Sequence, residues 1–120
     1  MLQVLSFSKN NTIAIKASGE LTREDYQRLQ PLLDKTVKDH GTFNLYLEVE
    51  EIDKIKPQAL WEDFKSYFKY AGKVDKVAVV GDSKITKALA ESTTPFVSGE
   101  VRYFDGSEFL KAKEWITGQS

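Results

Sequence analysis

The sequence predicts one α/β domain, residues 1–120, built on a mixed five-stranded sheet. Most strands are expected to run parallel, with an antiparallel first strand and helices mainly on one face. Three observations carry this. Apolar runs of strand length alternate with runs of helical period, which is the pattern of a parallel sheet with right-handed crossovers. Two short β-favouring runs come first, joined by an asparagine turn. The strands also mix polar with apolar positions, whereas a sheet covered on both faces is nearly all apolar.

Val4 to Phe7 and Thr12 to Ala17 flank Lys9-Asn10-Asn11. Asparagine tolerates left-handed turn conformations, so a hairpin is expected. Gly19 breaks the second strand. Thr22 is placed as a helix N-cap, with Asp25 completing a capping box. Tyr26, Leu29, Leu33 and Val37 follow at helical spacing. Pro31 falls inside this helix and is expected to remove one hydrogen bond and bend it; Gly41 ends it. Asn44 to Val49 alternates, with Leu45, Leu47 and Val49 on one side and Asn44, Tyr46 and Glu48 on the other.

Pro57 suits the first turn of a second helix carrying Leu60, Trp61, Phe64, Tyr67, Phe68 and Ala71. Lys76 to Val80 is a β-branched strand. Asp82 or Ser83 then caps a short helix through Ile85, Ala88 and Leu89. Glu100 to Phe104 is the last strand. Asp105-Gly106-Ser107 opens a final helix that is expected to pack through Phe109, Ala112 and Trp115 or Ile116. The helices are expected against Ile13, Ile15, Leu45, Leu47, Val49, Val77 and Val79. The other face, Ala14, Lys16, Tyr46, Glu48, Ala78 and Val80, is then partly open or meets another chain, and a homodimer is one form this contact takes.

Composition excludes several classes. The chain has 120 residues, 41% hydrophobic and 29% charged, with a net charge of −1. Nucleic-acid binders usually carry a clear excess of Lys and Arg, so no nucleic-acid partner is expected. With no cysteine and one histidine, His40, disulfides, thiolate metal sites and His-pair zinc motifs are excluded. There is no G-x-G-x-x-G or P-loop and no G-x-S-x-G elbow, so no cofactor and no catalytic residue is assigned. No apolar run approaches the ~20 residues of a membrane span. The N-terminal residues lack the pattern of a signal peptide, and the expected location is the cytoplasm.

Parallel strands end along one edge, where ligands of such sheets usually bind. That rim is rich in carboxylates: Glu20, Glu50, Glu51, Asp53, Asp82 and Asp105. They suit a hard cation or acid–base chemistry, but helix capping and solvation explain the same residues. The aromatic helix, with Trp61, Phe64, Tyr67 and Phe68, suits an interface or an apolar pocket, while ordinary core packing gives the same stripe. The candidate partner- or ligand-binding residues are therefore Trp61, Phe64, Tyr67, Phe68, Asp82 and Ser83.

Several segments together resemble the SpoIIAA-like family of small bacterial proteins. They are Gly19-Glu20-Leu21-Thr22 with Asp25-Tyr26 and Pro31, Ala59-Leu60-Trp61-Glu62-Asp63-Phe64, Val77-Ala78-Val79-Val80-Gly81-Asp82, and Arg102-Tyr103-Phe104 with Ala112 and Trp115. The resemblance implies a right-handed βα superhelix similar to STAS domains and to lipid-carrying CRAL-TRIO domains. It implies a non-enzymatic binding domain, regulatory or adaptor in kind, that acts on a protein partner. A binder of lipophilic small molecules or membrane surfaces is the alternative. Phosphorylated STAS antagonists carry a serine or threonine at the start of the helix after the third strand. The matching stretch here, Glu50 to Gln58, contains neither, so that phospho-switch is not expected.

Overall fold

The computed structural model describes residues 2–8, 10–19, 22–50, 73–81, 87–88, 90–91, 94 and 99–118. Five strands, β1 (Leu2–Val4), β2 (Thr12–Ser18), β3 (Phe43–Glu50), β4 (Val74–Val80) and β5 (Glu100–Phe104), form one sheet in chain order. β1 pairs antiparallel with β2, and the other pairings are all parallel. Two helices are described, α1 (Arg23–His40) and α2 (Phe109–Thr117); a 3-10 turn, Gly106–Glu108, leads into α2.

Each parallel strand is added to the same side of the one before it. A right-handed crossover from β2 to β3 then places its connecting helix on one face. α1 obeys this rule. Its buried Tyr26, Leu29 and Leu33 pack on Ile13, Ile15, Leu45, Leu47, Val49, Val77 and Val79, the row expected from strand alternation. α2 follows β5. It folds onto the opposite face, where Ala112 and Ile116 meet Ala14, Tyr46, Ala78 and Val80. Ala14, Tyr46, Ala78 and Val80 of the mixed face are therefore core, and the part bearing Lys16, Glu48 and Glu50 is left beyond the N-terminus of α2.

Local chemistry sets the ends of the elements. Asn10 takes φ of 56°, the left-handed conformation expected at the hairpin turn. The first strand is displaced from Val4–Phe7 to Leu2–Val4. Ser8 explains the shift: its Oγ accepts from the Ala14 N–H at 2.8 Å and donates to the Ala14 carbonyl at 3.0 Å. Leu5 N–H donates to that carbonyl too, at 2.8 Å. The Ser8 side chain thus takes the Ala14 N–H that the register would pair with the Leu5 carbonyl, and that carbonyl accepts from the Ser8 N–H at 3.1 Å instead.

Thr22 and Asp25 form the expected capping box at the start of α1. Pro31 lies on the exposed side of an unbroken 18-residue helix. Gly41, with φ of 82°, closes α1 through its N–H to the Val37 carbonyl at 2.7 Å.

Asp25 does more than cap. Burial of the carboxyl favours its neutral form, but the Thr22 backbone and hydroxyl, Arg28 and the Leu2 backbone outweigh this and lower its pKa to about 2. Arg28 donates to Asp25 at 2.5 Å and reaches the Leu2 carbonyl at 3.5 Å, tying edge strand β1 to the first turn of α1. The folded pKa lies below the ordinary 3.8, so the stabilisation is complete above about pH 4 and fades as pH falls toward 2. Asp25→Asn is expected to cost about 2 kcal/mol at pH 7. It should also flatten the loss of stability between pH 5 and pH 2, measured by urea unfolding. Parallel stability curves for the two proteins would contradict this role.

Candidate functional site

The parallel strands deliver Lys16, Glu48 and Glu50 to the C-terminal edge of the sheet. Register places Lys16 beside Glu48 and Ser18 beside Glu50, and alternation puts all four on the α2 face. Lys16 Nζ lies 2.6 Å from Glu50 Oε2 and 3.8 Å from Glu48 Oε2. The hydrogen bond that Lys16 donates to Glu50 and the Glu50 charge raise the Lys16 pKa, so the ammonium persists. The other oxygen of Glu48 accepts a 3.1 Å hydrogen bond from the Tyr46 hydroxyl. Burial pushes the Tyr46 phenol up, and the Glu48 charge adds to this, so the phenol stays a donor.

A cavity of about 280 Å³ opens beside this cluster. Its lining includes Glu48, Glu50, Val80, Gly81, Gly106 and Phe109. The far wall comes from the entry to α2. Asp105 and Glu108 form a capping box there, and Glu108 lies 3.6 Å from Lys111. Phe109 and Leu110 then stand 48% and 59% exposed. This corrects the expectation that Phe109 packs inward. The sheet opposite the first turn of α2 is polar, and the apolar surface that receives Ala112 and Ile116 begins one turn later.

The other end of α2 is held firmly. Thr12 Oγ1 donates to the Ile116 carbonyl at 3.4 Å. Trp115 leans on Phe104 at 6.0 Å between ring centres, with the Arg102 guanidinium 4.9 Å above it. A second, larger depression, about 550 Å³, is lined by Thr22, Glu24, Asp25, Gln27 and Arg28. The Thr22, Asp25 and Arg28 side chains there already serve the α1 cap and the β1 anchor.

The candidate residues Trp61, Phe64, Tyr67, Phe68, Asp82 and Ser83 lie outside the described residues, as do Glu20, Glu51 and Asp53. Of the expected rim carboxylates, Glu50 pairs with Lys16 and Asp105 caps a turn. Sequence reasoning missed the Lys16–Glu48–Glu50 cluster as a unit and missed the exposed Phe109-Leu110 pair. Matching parity of the charged positions on β2 and β3 was the available signal for the cluster. Among the described residues no group of three or more His, Asp or Glu side chains is placed to hold a metal ion. No helix among them is long and apolar enough to cross a membrane.

A sheet grown in one direction, with α1 on one face and α2 on the other, defines an α/β superhelical domain. The chain belongs to the SpoIIAA-like family, whose model matches residues 12–117. A crystal structure of an uncharacterized DUF3478-family protein with a SpoIIAA-like fold, from Shewanella loihica PV-4, is similar at 25% identity and a TM-score of 0.67. The match covers 97% of this chain and 92% of that one. No curated protein matches the sequence.

Proposed function

We propose that this SpoIIAA-like domain is a non-enzymatic binding module, regulatory or adaptor in kind, that works through protein–protein contact. The supporting observation is the exposed Phe109 side chain lining the strand-end cavity, with the exposed Leu110 next to it in the chain. Large apolar side chains at such a rim gain from being covered by a partner. The polar groups beside them favour binding over chemistry, because Lys16, Glu48, Glu50 and Tyr46 are engaged with one another.

The test is affinity capture from a lysate of the source cells with the wild-type chain and with the double variant Phe109→Ser/Leu110→Ser. Both side chains are exposed, so the variant is expected to keep its melting temperature. A protein retained by the wild type and lost by the variant is the expected result. Equal retention by both would overturn the assignment of the surface. A lipophilic molecule released on denaturing the purified chain, seen by mass spectrometry, would favour the lipophilic carrier instead.

A further inference from the structure

The Lys16–Glu48–Glu50 cluster already shows which chemistry the cavity wall accepts. Two carboxylates from β3 hold one ammonium from β2, at 2.6 and 3.8 Å. They carry more negative charge than one lysine neutralises. The Glu50 side chain is half exposed, so a second cation can reach it. Among the described residues, Glu48 and Glu50 line the cavity and Lys16 is the cation paired with them, while Glu108 at the entry to α2 pairs with Lys111. Beyond this acidic wall come the exposed Phe109 and Leu110.

We infer that this rim docks a basic, apolar peptide segment of a protein partner. An arginine or lysine side chain of the segment enters the cavity beside Glu48 and Glu50, and its apolar neighbours cover Phe109 and Leu110. This rests on the reading of the chain as a protein-binding module. Lys16 then acts as an internal stand-in for the partner's cation. Removing it should free the carboxylates and strengthen binding, a direction that a merely structural lysine would not give.

The probe is a fluorescently labelled, end-capped octapeptide of alternating leucine and arginine, titrated by anisotropy at low salt. A control peptide replaces each arginine with neutral citrulline. The arginine peptide is expected to bind about fivefold more tightly than the control, an advantage that shrinks at high salt. Lys16→Met should tighten it roughly two- to fivefold and Glu50→Gln should weaken it to a similar degree. Glu50→Gln lies on the half-exposed end of β3 and keeps the test available if Lys16→Met does not fold.

Equal affinity for the two peptides, or no gain from Lys16→Met in the folded variant, would overturn the proposal. Preferential binding to phosphatidylcholine vesicles containing one-quarter phosphatidylglycerol, lost in Phe109→Ser/Leu110→Ser, would assign the rim to a membrane surface instead. A dimer in sedimentation, lost in the same variant, would assign it to a second copy of the chain. If the peptides fail while capture still depends on Phe109 and Leu110, the basic character of the partner is wrong and the protein-binding reading stands. If both fail, that reading falls too.

Discussion

Tyr46→Ala is expected to cost about 3–5 kcal/mol, which for a domain of this size lowers the melting temperature by roughly 10–20 °C. Tyr46 is 1% exposed on the middle strand and is one of the largest fully buried side chains described. It lies in the second core with Ala112 and Ile116, and the Phe7 ring meets it edge-on at 4.9 Å. Its neighbours in the sheet on that face, Ala14 and Ala78, are too small to fill the space it would leave. The lost burial therefore comes with a cavity. Tyr46→Phe separates the two parts of the side chain. It keeps the ring and removes only the hydrogen bond to Glu48, so it should cost about 1 kcal/mol. Urea unfolding of the three proteins measures both values. A loss below about 1 kcal/mol for Tyr46→Ala would show that α2 does not rest on this residue.

Gly99→Ala is the second large effect, expected at about 3 kcal/mol. A Cβ on Gly99 would stand 2.0 Å from the Asp75 carbonyl oxygen and 2.9 Å from Asp75 Oδ1. The obstacle is the backbone of the adjacent strand, which cannot swing aside as a side-chain tip can. β4 and β5 would have to part where their pairing begins, at Lys76 and Glu100. Thermal unfolding should show the loss. Hydrogen exchange should show faster opening of β5 than of β2 and β3. A variant as stable as the wild type would contradict this close approach of the two strands.

Strand faces were legible in the sequence because alternation is a local property. Ile13, Ile15, Leu45, Leu47 and Val49 share a face whatever lies above them. The caps of α1 were legible for the same reason, since Thr22 and Asp25 need only each other. The placement of α2 was not. Its Phe109, Ala112 and Ile116 repeat at helical spacing, but whether each is buried depends on a sheet surface assembled from distant strands. Ala112 and Ile116 find Tyr46 and Ala78, whereas Phe109 finds the edge of a charged cluster. The first strand shifted because one hydroxyl, that of Ser8, competes with backbone pairing, and no propensity scale records that contact. The polar cluster was half legible. Lys16 and Glu48 were seen as interruptions of an apolar face, but their meeting depends on the β2–β3 register.

The proposed surface for another protein is the rim of α2 at the strand ends. Site-specific photo-crosslinking tests it most directly, with a benzophenone side chain at position 110 and a control at position 38, on the exposed last turn of α1. A discrete adduct with one protein from position 110, absent from position 38, is the predicted result. The same adducts from both positions, or none from position 110 under conditions where the chain captures a partner, would contradict it.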